Sequence, residues 1–233
     1  MRSNLMKGRE ILRWVMVVIL LAVSLVLIFN QQVKDYLVHD YHPTVTKQTI
    51  KQNQTKDANF DFKDVNDLNL QTVAKARANK SAVKVIGVIT MPEINMTIPI
   101  AKGVDNTTLA LAAGTMRPDQ QMGQGNYALA GHNMAHGSKI LFSPLYYHAK
   151  VGQKIYLTDM DKVYQYEVSE RTFIPATKVE VVNDTPEKII TLITCNSDGS
   201  RRLMIRGNYE KSYPINDAPT AVKKALDSNY TNK

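Results

Sequence analysis

The chain has 233 residues, a formal charge of +8 and one cysteine. One cysteine excludes an internal disulfide framework, and basic residues without interleaved aromatics argue against a nucleic-acid partner. Arg2, Lys7, Arg9 and Arg13 flank an apolar stretch; the remaining spread of charge suits a surface near anionic lipid or polymer.

Residues 14–30 carry no charge and are mostly Val, Leu and Ile. As a helix they would run about 26 Å, close to the roughly 30 Å hydrocarbon core, with Trp14 suited to the interface and Arg13 able to snorkel. Residues 1–13 hold four basic residues against one acid, Glu10, which predicts a cytoplasmic N-terminus and export of the rest. Phe29-Asn30-Gln31-Gln32 offers no small-residue cleavage site, so an uncleaved anchor is expected rather than a signal peptide. Residues 31–80 are polar and rich in Gln, Asn, Lys and Asp. They read as a spacer with one short helix near residues 68–76, reaching roughly 35–42 Å as a flexible coil.

From Ala82 the pattern turns to β. Strands are predicted at residues 83–90, 96–100, 127–130, 154–157, 163–168, 189–194 and 203–209, with Met91-Pro92-Glu93 a turn because proline cannot continue a ladder. One or two short helices fit the long connections, one near residues 107–113. The region 81–212 is therefore expected to be one all-β domain, barrel or sandwich, large enough to be stable without disulfides. Residues 213–233 read as a polar, solvated tail.

Cys195 ends the apolar, β-branched run Ile189-Ile190-Thr191-Leu192-Ile193-Thr194 and enters the polar turn Asn196-Ser197-Asp198-Gly199-Ser200, followed by Arg201 and Arg202. A lone thiol at a strand exit, in an exported domain, reads as a nucleophile. Its chemistry needs a proton-transfer partner and an oxyanion donor. His39 and His42 lie beside the anchor, and His148 follows two tyrosines. His132 and His136 lie in Leu129-Ala130-Gly131-His132-Asn133-Met134-Ala135-His136-Gly137. The i, i+4 histidine pair lacks the glutamate of a zinc-protease helix, and glycines break the helix such a site needs. His132 follows an apolar strand across one glycine, though a histidine so placed is by itself more often structural than catalytic.

Together these residues resemble the sortases, and among them class A. Thr191-Leu192-Ile193-Thr194-Cys195 is similar to the family's TLxTC signature, Leu129-Ala130-Gly131-His132 to its histidine motif, and Arg202-Leu203-Met204-Ile205-Arg206-Gly207 to the strand bearing its arginine. Supporting blocks include Ala113-Gly114-Thr115-Met116, Met122-Gly123-Gln124-Gly125-Asn126-Tyr127 and Leu141-Phe142-Ser143-Pro144-Leu145. The resemblance runs from about Ala82 to Tyr209. It implies an eight-stranded sortase-type β-barrel behind a single N-terminal transmembrane helix. It also implies a cysteine transpeptidase of Gram-positive bacteria acting on LPxTG sorting signals, with lipid II supplying the acceptor amine. By the same resemblance Cys195 is the nucleophile, His132 the acid and base, and Arg202 the oxyanion donor. Thr194 assists beside the thiol, and Ala130, Ile193 and Met204 line the groove.

Arg201 and Arg202 fall on opposite strand faces by alternation; the resemblance selects Arg202. No cofactor is expected. No metal is expected either, because the loop Arg117-Pro118-Asp119-Gln120-Gln121-Met122-Gly123-Gln124 has one acid, too few for calcium. Residues 31–81 contain no Asp-Pro pair of the kind that marks the lid of pilin-polymerising sortases. A membrane-anchored cysteine peptidase, or a non-enzymatic β-sandwich module, stands as the alternative function.

Overall fold

The computed structural model describes residues 2–65, 68–134, 138–196 and 198–227. Eight strands close into a barrel: β1 (Val85–Met91), β2 (Met96–Ala101), β3 (Ala113–Thr115), β4 (Asn126–Ala130), β5 (Lys154–Thr158), β6 (Lys162–Pro175), β7 (Ile189–Cys195) and β8 (Arg201–Pro214), in the order β1-β2-β3-β4-β7-β8-β6-β5. Alternation along these strands aims one set of side chains inward. Ile89, Met91, Met96, Ile98, Ile100, Leu129, Ile190, Leu192, Leu203 and Ile205 form the principal core with Tyr127 and Tyr166. Two short helices occupy barrel connections. One is α5 (Asn106–Leu111), whose first turn Asp105 caps by accepting from Thr107 and Thr108 N–H at 3.0 Å; the other is α6 (Ser143–His148).

Two pairings fix the end of the barrel that matters. β4 and β7 run parallel with Ala130 opposite Ile193, and β7 and β8 run antiparallel with Cys195 opposite Arg202. The expected strands are all present, but two are longer and one is new. β6 and β8 each run 14 residues, past the segments predicted from alternation, and β3 is a three-residue strand that no periodicity could have revealed.

An N-terminal helix, α1 (Arg2–Ile28), contains 21 apolar-rich residues, Gly8–Ile28, long enough to cross a membrane at about 31 Å and exposed along its length. The flexible coil expected after it is corrected, although the short helix expected near residues 68–76 is present. α2 (Asn30–His39), α3 (Lys47–Gln54) and α4 (Leu70–Ala78) fold against the barrel. The physical reason is a sparse but well-spaced set of anchors: Val38, Tyr41, Val45, Ile50, Val73 and Ala76 are all buried. Tyr41, Val45, Ile50 and Ala76 pack with Val83, Val85 and Val88 of the barrel side. Asn53 Nδ2 donates to the Val85 carbonyl at 2.9 Å, Arg77 pairs with Asp40 at 2.5 Å, and Lys47 pairs with Asp161. The solvated tail is corrected likewise. β8 continues to Pro214, and α7 (Thr220–Asp227) buries Val222 with Ala218 against Val163.

Candidate active site

Cys195 lies half-buried at the last residue of β7, where the ladder ends and the strand opens to solvent. β8 begins opposite it. On β8, Leu203 and Ile205 turn into the principal core, while Met204 packs with Ile174 and Ile193 on the outer face. Arg202 shares that outer face. It lines one groove with Cys195 and His132, and its Nη1 donates to the Gly199 carbonyl at 2.8 Å and the Arg201 carbonyl at 3.2 Å. Arg201 goes elsewhere: it is exposed, donates to the Phe173 carbonyl at 2.6 Å and lies 5.9 Å from the Phe173 ring.

His132 is delivered by β4 through Gly131. A Cβ at Gly131 would lie 2.7 Å from the Phe142 ring, so only glycine lets the chain leave the barrel here. Three hydrogen bonds then tie the histidine segment to the cysteine strand. Gly131 N–H donates to Ile193 O at 3.1 Å, Thr194 Oγ1 donates to Gly131 O at 2.7 Å, and Asn133 Nδ2 donates to Cys195 O at 3.1 Å. They flank His132 on both sides. Phe142 N–H donates to the His132 carbonyl at 3.0 Å, and Met134 N–H to Ser143 Oγ at 2.9 Å, which pins the loop's return. His136 and Gly137, the other half of the histidine motif, lie outside the described residues.

The groove holds about 290 Å³ and is lined on its apolar part by Leu109, Met116, Ala130, Val181, Val182 and Ile193. Of the residues assigned to it from sequence, Ala130, Ile193 and Thr194 are on its lining; Met204 is 3% exposed and packs behind Ile193. Sequence reasoning missed Val179, Val181 and Val182, although Val179-Glu180-Val181-Val182 is an apolar cluster in a polar loop. It missed Asn133, whose type signals nothing until the fold sets it beside the cysteine carbonyl. It also missed Phe62 and Val65, which come from the segment before the barrel.

The valine wall is held from behind by Arg117. Its Nη1 donates to Val182 O at 2.6 Å and Asn126 O at 3.0 Å, and its guanidinium pairs with Asp184 at 3.1 Å and Asp119 at 3.2 Å. Asn126, fully buried, donates to the carbonyls of Val181 and Asn183 and accepts from Thr191 Oγ1 at 2.8 Å. The Asp184 carboxyl sits below the usual carboxylate range, chiefly because Asn126 N–H donates to it, then Thr185 N–H and Arg117. The single carboxylate of the loop, Asp119, is thus engaged with Arg117.

A thiol, an imidazole and a guanidinium at one end of an apolar groove can cleave and re-form an acyl bond. Comparison with known proteins agrees in kind. A sortase domain matches residues 89–210. The chain is 37% identical over 229 residues to sortase A of Streptococcus agalactiae serotype III, covering 94% of this chain and 92% of the relative. It is 39% identical over 202 residues to sortase A of Listeria monocytogenes, covering 84% and 90%. The crystal structure of Listeria monocytogenes sortase A superposes with a TM-score of 0.57 at 37% identity, over 62% of this chain and 98% of that one. Sortase C-3 of Streptococcus pneumoniae, at 19% identity and a TM-score of 0.55, shares the fold. With the family's domain over just more than half of the chain and a 37% identical relative along nearly all of it, this protein belongs to the sortase family of enzymes.

Proposed function

We propose that this sortase cleaves the Thr–Gly bond of LPxTG sorting signals on surface proteins and transfers the new carboxyl end to an amine of a peptidoglycan precursor, lipid II. The observation that carries the reading is the convergence of Cys195, His132 and Arg202 on one groove whose remaining lining is mostly apolar, with Thr194 and Lys178 its other polar members. Cys195 Sγ, as thiolate, attacks the threonine carbonyl carbon. Arg202 donates to the oxyanion of the tetrahedral intermediate, exchanging for it the Gly199 and Arg201 carbonyls to which its Nη1 donates. Collapse breaks the C–N bond, and protonated His132 gives its proton to the departing glycine amine. The substrate's threonine is left as a thioester on Cys195. The acceptor amine attacks that thioester while neutral His132 takes its proton, and the thiolate leaves. One amide is exchanged for another through an activated acyl, so the reaction needs no nucleotide outside the cell.

Thr194 and Asn133 do not reach the reacting atoms in this scheme. They hold the histidine segment at a fixed offset from the thiol through the Gly131 and Cys195 carbonyls. The apolar N-terminal helix, with Arg2, Lys7, Arg9 and Arg13 on its N-terminal side, supports a cytoplasmic N-terminus and an extracellular barrel.

The test is product analysis. A labelled Leu-Pro-x-Thr-Gly peptide incubated with the protein should be cut between Thr and Gly. Added oligoglycine amine should divert the product from free acid to the ligated peptide. A product that remains the acid at every amine concentration would make the protein a peptidase instead.

A further inference from the structure

The segment before the barrel is built onto the groove. Val104 N–H donates to the Asn59 carbonyl at 2.8 Å, and Lys102 Nζ donates to the carbonyls of Gln54 and Lys56 at 2.7 and 2.8 Å. Gly103 lies at φ +89°, and a Cβ there would come within 2.6 Å of Asn59 O and 2.9 Å of Ala58 Cβ. Glycine is therefore what lets the segment approach this closely. Asn59 Oδ1 then accepts from Asp61 N–H at 2.8 Å, and Asp61 caps a single 3-10 turn, Phe62–Asp64, by accepting from Lys63 N–H at 2.9 Å.

The turn presents two apolar side chains to the groove. Val65 packs with Val104, Leu109, Ala130 and Met116. Phe62 lines the same groove and stays 40% exposed. Scattered exposed hydrophobics are ordinary; this one is held by a capped turn at the rim of an apolar groove. The groove keeps its 290 Å³ with Phe62 in place, so the ring is a wall and not a plug.

We infer that Phe62, with Val65 beside it, is a specificity-determining wall of the acyl-donor subsite and packs on the leucine side chain of the sorting signal. The inference rests on the LPxTG reading above. Leucine stands three residues before the scissile threonine, within about 10 Å of it along an extended peptide. It is the bulkiest apolar side chain in the motif, and apart from Thr194 and Lys178 the lining beyond the reactive trio is apolar.

The experiment uses the full chain in detergent, with Phe62→Ala, Phe62→Leu and Val65→Ala, on peptides bearing Leu-Pro-x-Thr-Gly or Ala-Pro-x-Thr-Gly. Phe62→Ala should raise KM for the leucine peptide by about fivefold, the scale of one partly buried aromatic face lost, and leave kcat nearly unchanged. Its loss on replacing leucine by alanine should shrink by the same factor, and Phe62→Leu should restore most of the effect. Val65 is packed, so its variant is read only beside a thermal melt that matches wild type. Equal kinetics of Phe62→Ala and wild type on both peptides would overturn the inference. Faster cleavage by Phe62→Ala would do so too, by making the segment a cover that substrate must displace. A wild-type chain that leaves the leucine peptide intact would instead overturn the LPxTG reading, and this inference with it.

Discussion

Cys195 sits where a strand stops and solvent begins, and the residues around it divide into those proposed to react and those that hold. Cys195→Ala should abolish cleavage with the fold intact; a few per cent of wild-type turnover in that variant would remove the thiol from the mechanism. His132→Ala and Arg202→Ala should each lower kcat/KM by at least about 10²-fold, the scale of a general acid or an oxyanion donor. Arg201→Ala should do far less, because its guanidinium is spent on Phe173. Thr194 behaves as a positioning residue here: it is 3% exposed, and its hydroxyl is bonded to Gly131 O. Thr194→Val should cut kcat while Thr194→Ser restores it, with KM nearly constant in both. Cys195 stood out in the sequence as a lone thiol ending an apolar strand at a polar turn, whereas His132 and Arg202 were singled out only through the family resemblance, and the fold sets all three on one groove. Asn133 was not legible, since an asparagine in a loop gains meaning only from what the fold brings to its amide.

At the scale of elements, the site depends on three joints: β4 beside β7, β7 beside β8, and the valine wall against Arg117. The third is the most exposed to test. Arg117→Ala leaves the Val182 and Asn126 carbonyls without their donor, which costs about 1–3 kcal/mol for buried acceptors, or about 2–4 °C of Tm per kcal/mol at this length. KM for the peptide should rise with it, because Val181 and Val182 line the groove. The same joint has a pH signature. Asp184 has a depressed folded-state pKa, so its contribution is complete above the ordinary carboxylate range and is lost as pH falls through the lowered value. The protection of amides in residues 179–184, relative to that of the barrel, should therefore fall in acid, below about pH 4, and Asp184→Asn should remove that dependence. A wall whose exchange follows the barrel's at every acid pH would show that Asp184 is not part of its latch. Alternation found the halves of β6 and β8 that have one buried face. It failed along Ser169-Glu170-Arg171-Thr172, where a register shift at Val168/Glu170 breaks the period.

For the whole molecule, the segment between anchor and barrel changes the picture of tethering. A polar composition predicted a coil, yet five well-placed aliphatic residues and Tyr41 are enough to dock α2, α3 and α4. The anchors fall at irregular intervals, with a long gap between Ile50 and Val73, and sustain no periodicity, which is why the sequence did not reveal them. Helical hydrogen bonds continue from Leu25 through Phe29 to Val33, so the anchor runs into the folded body without a long leash. Deleting residues 1–29 should give a soluble, active protein that no longer anchors proteins in cells. Deleting residues 1–79 should do worse, lowering Tm and weakening peptide binding, because Ile50, Val73 and Ala76 leave buried contacts behind. Equal stability of the two truncations would mean that the helices contribute nothing to the barrel. Protease added to intact, wall-stripped cells should digest the barrel; protection until the membrane is opened would reverse the orientation proposed here.

The most direct test of the central claim is the mass of the intact protein after brief exposure to a Leu-Pro-x-Thr-Gly peptide without amine. The expected result is an added mass equal to the peptide's acyl portion up to threonine. That mass should map to Cys195, vanish in Cys195→Ala and be discharged by hydroxylamine or an added amine. Cleavage of the peptide without any adduct on the wild-type chain, or an adduct that persists in Cys195→Ala, would contradict it.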